Sequence, residues 1–292
     1  MRLNIFVLSL FLSFLCVTAA PEVSAQSNTT QFPLVKGRET LNAVLWMQTS
    51  AEYRANALQA YRSATAQLPS LLAKSGSAAL EQATTDAKIL ARLPPALLLD
   101  LDETVLDNSY PQARMVQDGA DFEELVWERW MQEATATLIP GAREFLQAAV
   151  QAGIKIFYIS NRSCSTPGDH CITKAATLRN LIKLDLPFAE APDHVLLRNE
   201  RPEWATRSKS ARRAWVAERY RIVALVGDDL QDFVDRDIYE PRRAELETRF
   251  GVSWFILPNA MYGSWDRALT ESKSGNEALS QKYQHLQTSP TR

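Results

Sequence analysis

Residues 96–109 read ALLLDLDETVLDNS, an apolar run that passes directly into a pair of carboxylates. The apolar residues 96–99 follow two prolines, which is typical of a strand covered on both faces of a parallel sheet. Asp100 and Asp102 follow this strand with a single residue between them, and we expect the two carboxylates to have separate roles. At the carboxyl edge of an open α/β sheet, where ligands bind, one carboxylate can attack while the other handles protons. A solvated acidic turn explains an isolated D-x-D pattern equally well, so the interpretation depends on further elements.

Length and composition are those of a globular α/β protein. The chain has 292 residues, of which 46% are hydrophobic and 23% charged, enough for one α/β core with additional helices. Its formal net charge is −2, so no overall basic field favours polymeric nucleic acid as a partner. No feature of the sequence indicates an oligomeric state.

The amino-terminal stretch has the features of a secretory signal. Arg2 precedes an apolar stretch at residues 5–17, and a small-x-small pattern ends at Ala25. We therefore expect residues 1–25 to be removed and the mature protein to be periplasmic or secreted. Cys16 raises the alternative of a lipid-anchored form, but the two bulky residues before it disfavour a lipoprotein signal. No other segment is apolar enough to predict a transmembrane helix.

Strand and helix patterns alternate along the rest of the chain. Helices are predicted at residues 40–68, 77–93, 121–133, 140–152, 172–184, 206–219 and 241–250, and strands at 96–99, 154–159, 194–197, 222–226 and 252–257. This alternation predicts an α/β fold with a doubly wound, mostly parallel sheet.

The same pattern predicts how the chain is organised into segments. We expect an amino-terminal helical segment at residues 26–93, which lies outside the minimal sheet and packs over its active-site edge. A core follows at 94–268, with an inserted helical cap at about 107–139. A polar, loosely ordered tail is expected at 269–292.

Two cysteines of the expected mature chain lie close together in the sequence CSTPGDHC. In an oxidising compartment, Cys164 and Cys171 are predicted to form a disulfide across the Pro-Gly turn. A metal site that includes His170 is an alternative, although no second Cys/His pair completes four ligands. Two free thiols are the remaining possibility.

Further polar groups follow the later strands in a fixed order. They are Ser160 and Asn161 after the strand at 154–159, Lys209 in the helix at 206–219, and Asp228, Asp229 and Asp232 after the strand at 222–226. Each group alone has an ordinary explanation as a turn residue, a solvated charge or a helix cap. Together with the DLDET sequence, they resemble the four conserved elements of the haloacid dehalogenase (HAD) superfamily.

The resemblance to this superfamily implies a catalytic cycle built on the acidic residues. Asp100 would attack phosphorus and form an aspartyl phosphate, and Asp102 would act as general acid and then general base. Mg²⁺ would be held by Asp100, the backbone carbonyl of Asp102, and Asp228. Asp232 would orient water molecules around the ion, with Asp229 as a less certain helper.

The same resemblance implies a phosphate-binding role for three residues. Ser160 would donate a hydrogen bond to a phosphoryl oxygen, and Lys209 would neutralise both the nucleophile and the phosphate. Asn161 is close enough in sequence to assist.

A closer resemblance, to bacterial class C acid phosphatases and related secreted 5′-nucleotidases, covers residues 41–265. It is carried by the segments LNAVLWMQTSAEY, DLDETVLDNS, FYISNR, RSKSARR, GDDLQDF and LPNAMYGSW. The implied activity is Mg²⁺-dependent hydrolysis of small phosphomonoesters, including 5′-nucleotides. In these nucleotidases aromatic rings stack on the nucleobase, which suggests four substrate-binding candidates: Phe122 and Tyr262 first, then Tyr110 and Trp46.

Two other functions are compatible with parts of the pattern. Cleavage of a carbon–halogen or carbon–phosphorus bond is one, but a dehalogenase does not need the second aspartate or the metal cluster. A catalytically silent relative that binds or stores nucleotides is the other. Such proteins tend to lose the nucleophile, whereas Asp100 is present.

Overall fold

A five-stranded parallel sheet forms the centre of the protein, in a computed structural model that describes residues 38–82, 86–165, 170–271 and 273–288. The strands of the described residues are β1 (Pro95–Leu99), β2 (Leu106–Asp107), β3 (Thr137–Leu138), β4 (Lys155–Ser163), β5 (Val195–Arg198), β6 (Arg221–Gly227) and β7 (Trp254–Ile256). The sheet order is β5-β4-β1-β6-β7, and every neighbouring pair is parallel. The strand that precedes Asp100 is therefore the central one.

Helices of different segments cover the sheet. Those of the described residues are α1 (Leu41–Thr49), α2 (Ala51–Ala73), α3 (Ala87–Leu90), α4 (Ser109–Asp118), α5 (Glu124–Glu133), α6 (Ala142–Gln151), α7 (Ile172–Lys183), α8 (Ser210–Ala217), α9 (Leu230–Phe233), α10 (Arg236–Leu246), α11 (Ser264–Thr270) and α12 (Gly275–Gln284). Across the described ranges, none of these helices has the length and apolarity needed to cross a bilayer. The predicted signal peptide, residues 1–25 with Cys16, lies outside the described residues.

The two faces of β1 are buried in different clusters, because successive side chains point in opposite directions. Leu97 and Leu99 pack in one cluster with residues of α2 and α6. Ala96 and Leu98 pack in the other with Val216 of α8. Burial on both faces explains the uninterrupted apolar run and confirms the doubly wound α/β sheet.

The single helix predicted at residues 40–68 is two helices in the structure, α1 and α2. Ser50 separates α1 from α2, and its hydroxyl accepts a hydrogen bond from the Tyr53 N–H at 3.0 Å, which caps the second helix. On α2, the buried Tyr61 hydroxyl donates to the carbonyl of Thr104 at 2.5 Å. This bond places α2 against the loop that follows the first carboxylates, which is where the segment was expected to pack.

The helix predicted at residues 77–93 is wrong for most of the part that the structure describes (77–82 and 86–93), where only the single turn α3 is helical. The backbone N–H of Ala79 instead donates to the carbonyl of Ile222 at 2.8 Å. The Gln82 side chain donates to the carbonyl of Ala217 at 2.8 Å and accepts from the Ile222 N–H at 2.9 Å. These distant partners satisfy the backbone groups that a helix would have paired locally.

The predicted cap insertion at 107–139 contains two helices, α4 and α5, of which only α5 was predicted. The short strands β2 and β3 close its base as an antiparallel pair, with Leu106 opposite Leu138. Helix α4 ends at Gly119, which adopts the left-handed conformation (φ 61°) that allows glycine to terminate a helix. The cap is thus anchored directly after the loop that carries Asp100 and Asp102.

Two other helices begin at different residues from those predicted. Helix α8 begins at Ser210, so Lys209 lies immediately before the helix and not within it. Helix α10 begins at Arg236 and includes Pro241, which was predicted to start a helix. The proline is followed by Arg242 in a non-helical conformation, as expected where a proline removes a backbone donor inside a helix.

The polar tail at 269–292 is more ordered than predicted, because it includes α12. Lys282 on this helix forms an ion pair with Asp266 of α11 at 2.8 Å. The tail has too few apolar residues to show a helical periodicity, so this helix could not be predicted from the sequence. Its contact with the neighbouring helix is instead between charged side chains.

The predicted disulfide is present, and it joins Cys164, directly after β4, to Cys171 before α7. Both cysteines are buried in the core cluster on one side of the sheet. The bond ties the carboxyl end of β4 to the start of α7. It therefore restrains the segment that follows Ser160 and Asn161.

We expect both of these cysteines to resist alkylation in the native oxidised protein and to react only after denaturation and reduction. Mass analysis after iodoacetamide treatment, with and without reductant, measures this directly. Replacing both by alanine should lower the free energy of unfolding by roughly 2 kcal/mol on the chain-entropy model. Alkylation of both residues without reductant would contradict the bond.

Candidate active site

All strands of the large sheet bring polar residues to the same edge. They are Arg198 at the end of β5, Arg162 in β4, Asp100 after β1, Asp228 after β6 and Asn259 after β7. A cavity of about 790 Å³ opens at this edge, and all of these residues except Asn259 line it. The carboxyl edge of a parallel sheet is where open α/β proteins bind their ligands.

Asp100 and Lys209 form a buried ion pair in the cavity wall, only 7% and 3% exposed. The Lys209 ammonium donates to Asp100 and also to Asp232, the latter at 2.6 Å. Burial raises the pKa of Asp100 to about 7, although the Lys209 charge acts in the opposite direction. Burial alone would lower the pKa of Lys209, but the two carboxylates raise it. The lysine therefore remains an ammonium.

Asp228 completes a cluster of three carboxylates with Asp100 and Asp232, whose oxygens lie within 4.8 Å of one another. Asp228 accepts hydrogen bonds from the Thr104 hydroxyl at 3.1 Å and from the Asn259 amide at 2.8 Å. Burial, with the neighbouring carboxylates, raises the pKa of Asp228 well above its ordinary value. Asn259 was not predicted as a site residue, although it lies in the segment LPNAMYGSW that carries the resemblance.

The charges of this cluster fit a divalent cation. The single ammonium of Lys209 pairs with Asp100 and Asp232 but not with Asp228, so three acidic side chains in a largely buried site are offset by one cation. All the candidate ligands are carboxylate oxygens, the hard donors that cations such as Mg²⁺ prefer. The side chains of Asp100, Asp228 and Asp232 therefore come together as predicted. The carboxylate of Asp102 lies outside this cluster.

Asp102 instead forms a partly buried ion pair with Arg162, which is itself buried and was not predicted as a site residue. The Arg162 Nη2 and Nε atoms lie 2.7 and 3.0 Å from Asp102 Oδ1, and the Asn108 amide donates to the same oxygen at 2.8 Å. Burial alone would raise the pKa of Asp102, but Arg162 and these hydrogen bonds lower it. Asp102 is thus held as a carboxylate.

Among the predicted phosphate-binding residues, Ser160 is fully buried, and its hydroxyl forms hydrogen bonds within the protein. Its hydroxyl donates to Asp102 at 3.2 Å and accepts from the Arg162 N–H at 3.1 Å, and it is not part of the cavity wall. Asn161 does line the cavity, and its amide oxygen accepts from Arg212 at 2.7 Å. That bond leaves the Asn161 NH₂ group as the end that can donate to a ligand.

The segment around Lys209 is fixed by its neighbours in the sequence RSKSARR. The hydroxyls of Ser208 and Ser210 both donate to Asp235, each at 2.7 Å. Arg213 donates to the carbonyls of Gln231 and Asp232 at 2.8 and 3.1 Å. The loop that carries Lys209 and the loop that carries Asp232 are therefore held together, which sets the position of the shared ion pair.

Aromatic side chains cover another part of the cavity wall. Phe122 and Tyr262 both line the cavity as predicted, and Trp127 lies between them, with ring centroids 5.9 Å from Phe122 and 6.3 Å from Tyr262. The Tyr262 hydroxyl is buried and has no hydrogen-bond partner among the described residues. Trp127 was not predicted, because its place on α5 resembled ordinary packing.

The other two aromatic candidates lie outside the cavity wall. Trp46 packs edge-on against Tyr53 on the neighbouring helix, with ring centroids 5.4 Å apart. Tyr110 is exposed and lies 6.5 Å from the Trp130 ring. The structure therefore does not place either one at the substrate cavity.

This arrangement, with buried carboxylates, a lysine and a metal-binding cluster at the end of a central parallel strand, is that of an enzyme that acts on phosphate esters. A sequence model of the HAD superfamily, subfamily IIIB (acid phosphatase), matches residues 11–265. The chain belongs to this family of acid phosphatases, and its activity is phosphomonoester hydrolysis.

Two solved structures agree with this assignment. The class C acid phosphatase from Bacillus anthracis with tungstate bound is 31% identical, covering 88% of this chain and 100% of that chain, with a TM-score of 0.73. A second structure of the class C acid phosphatase from Bacillus anthracis is 32% identical, covering 87% and 99% of the two chains, with a TM-score of 0.72.

The contrast between buried and exposed ion pairs yields a stability prediction. Arg162→Met leaves the buried Asp102 carboxylate without its cation, which should lower the free energy of unfolding by about 3 kcal/mol or more. The matched control is Arg114→Met, which removes the exposed pair with Glu133 and should cost less than about 1 kcal/mol. Urea unfolding of both variants tests this. Equal losses would contradict a structural role for the Arg162–Asp102 pair.

Proposed function

We propose that the protein is a secreted Mg²⁺-dependent acid phosphatase that hydrolyses small phosphomonoesters, 5′-nucleotides among them, through an aspartyl-phosphate intermediate. The observation that carries this proposal is the cluster of Asp100, Asp228 and Asp232 around Lys209 in the wall of the cavity. When bound, Mg²⁺ would supply the charge that offsets repulsion between a phosphate dianion and a carboxylate nucleophile. Asp100, Asp228 and Asp232 are the side chains available to hold it.

Each residue has a defined part in the proposed reaction. The Asp100 carboxylate attacks phosphorus, the bond from phosphorus to the ester oxygen breaks, and Asp102, in the protonated form that acid pH populates, passes its proton to the departing alcohol. Asp102 then accepts a proton from water, whose oxygen attacks the aspartyl phosphate and releases inorganic phosphate. The ionised state that Arg162 favours suits Asp102 for this second step.

Phosphate binding is assigned to residues of the same cavity. Lys209 neutralises charge on the nucleophile and on the phosphoryl group, and the free NH₂ of Asn161 donates to a phosphoryl oxygen. Ser160 would act by positioning Asp102, unless it turns toward the substrate. The related Bacillus anthracis structure with tungstate, a tetrahedral oxyanion, supports binding of this type of group.

Secretion is supported by the disulfide. Bonds between cysteines persist in oxidising compartments such as the periplasm, and Cys164–Cys171 is such a bond. With the signal-like sequence at residues 1–25, this favours a periplasmic or secreted enzyme over a cytosolic one.

Asp100→Asn removes the proposed nucleophile and one metal ligand, so we expect turnover to fall by several orders of magnitude. Steady-state hydrolysis of 5′-AMP and p-nitrophenyl phosphate, with Mg²⁺ and after chelation, measures the loss. Circular dichroism provides the folding control for the variant. Residual turnover above about one percent of wild type would contradict the covalent mechanism. Full activity of the wild-type enzyme after chelation would contradict the requirement for a metal ion.

The aromatic part of the cavity wall is the proposed origin of nucleotide selectivity. Stacking of a ring on a nucleobase contributes about 1–3 kcal/mol and tolerates any base. Phe122, Trp127 and Tyr262 lie along one side of the cavity that also contains Asp100. We therefore propose that this side holds the base while Asp100 faces the phosphate.

We expect kcat/KM for 5′-AMP to exceed that for glycerol phosphate by about tenfold or more, which corresponds to about 1.4 kcal/mol. Phe122→Ala and Tyr262→Ala should each reduce this ratio. Tyr283→Ala, which removes an exposed ring outside the cavity wall, is the control. If wild type shows no preference, or if both cavity variants retain it, stacking does not determine selectivity.

A further inference from the structure

A second group of cations lines the cavity, and their hydrogen bonds and salt bridges among the described residues do not include Asp100, Asp228 or Asp232. Arg198 ends β5, Arg207 lies in the loop before α8, and Arg267 lies on α11, yet all three contribute to the same cavity wall as Asp100 and Lys209. We refer to Arg198, Arg207 and Arg267 as the arginine cluster. Neither the catalytic residues nor the aromatic side of the cavity gives these guanidinium groups a role.

The positive charge of the cluster is only partly compensated. Within the described ranges, no carboxylate forms a salt bridge with Arg207 or Arg267, and Arg267 donates only to the neutral amide of Gln231, at 3.2 Å. Arg198 pairs with Glu124 of the cap at 2.7 Å through one nitrogen. Its Nε atom is buried and has no hydrogen-bond partner among the described residues.

Acidic side chains near the cluster already have other partners. Asp266 pairs with Lys282 at 2.8 Å. Asp229 accepts from the backbone N–H groups of Gln231, at 2.8 Å, and Ser264. Both acids attract Arg267 electrostatically, but neither forms a salt bridge with a cluster arginine among the described residues, so the guanidinium groups retain N–H donors for an anion.

Electrostatic repulsion within the cluster is consistent with this conclusion. Burial and then the charge of Arg207 lower the pKa of Arg198. Burial lowers the pKa of Arg267, and Arg207 adds to this effect against the attraction of Asp229 and Asp266. Arg207 therefore lies near enough to Arg198 and to Arg267 to lower their pKa values, and like charges in a cavity wall are more favourable when an anion lies between them.

We propose that the arginine cluster binds a second phosphate group of the substrate, so that the preferred substrates are phosphomonoesters with two separate phosphates. Guanidinium groups present paired N–H donors that match phosphate oxygens, and a dianion can accept from more than one of them. One phosphate would lie at Asp100 and Lys209, and the other would lie at Arg207 and Arg267. This inference rests on the proposed phosphatase function and specifies its substrate class.

The test compares substrates that differ only in the second phosphate. Adenosine 3′,5′-bisphosphate and adenosine 2′,5′-bisphosphate are measured against 5′-AMP in the Mg²⁺-loaded enzyme. We expect at least one bisphosphate to have a KM about tenfold lower than 5′-AMP, a difference of about 1.4 kcal/mol. In Arg207→Gln and Arg267→Gln this KM ratio should fall towards one.

The matched control is Arg92→Gln, which removes an exposed arginine near the amino end of β1, outside the cavity wall, and should leave the ratio unchanged. Equal KM values for 5′-AMP and both bisphosphates in wild type would overturn the inference. So would a preference that persists in the Arg207→Gln/Arg267→Gln double variant.

A binding measurement separates this inference from the proposed function. Calorimetric titration of the same nucleotides into the Asp100→Asn variant compares their affinities without turnover. Absence of hydrolysis by wild type would count against the phosphatase function alone. Tighter binding of a bisphosphate, lost on Arg207→Gln, would still support the second phosphate site, and equal binding would reject it.

Discussion

The Lys209 ammonium lies between Asp100 and Asp232, and the rest of the site depends on this buried contact. Three carboxylates at the end of a central strand would repel one another without it, and burial makes that repulsion costly. The surrounding polar contacts of Ser208, Ser210 and Arg213 hold the lysine loop in place. The protein therefore uses part of its structure to keep negative charge where a cation and a phosphate can bind.

The sequence was sufficient for residues whose positions follow from strand topology. Parallel strands end at a common edge, so the polar residues after β1 and β6 had to meet there, and Asp100 and Asp228 do. The apolar run at 96–99 likewise predicted a strand buried on both faces. The disulfide was predictable because Cys164 and Cys171 are close in sequence and no other cysteine of the expected mature chain competes.

Features that depend on distant contacts could not be predicted in this way. The segment at 77–93 has a helical pattern, yet Ala79 and Gln82 bond to residues near β6, more than a hundred positions along the chain. Arg162 was not predicted as a site residue, because its partner Asp102 is distant in sequence. Trp127 was likewise not predicted, because its contact with Tyr262 joins residues that are distant in sequence. Helical periodicity reports local preference and carries no information about such partners.

The end of β1 at Leu99 allows one short segment to support two chemical environments, because Asp100 and Asp102 both lie beyond the strand. Asp100 contacts the lysine and belongs to the metal-binding cluster, while Asp102 contacts Arg162 and Asn108. The pKa values of the two carboxyl groups accordingly move in opposite directions, raised for Asp100 and lowered for Asp102. Environments that make the pKa values of two nearby carboxyl groups differ in this way allow the groups to take different roles in one reaction. The two carboxyl groups are separated by a single residue, Leu101, which is fully buried and whose carbonyl accepts hydrogen bonds from the N–H groups of Val105 and Leu106 at 2.8 and 2.7 Å.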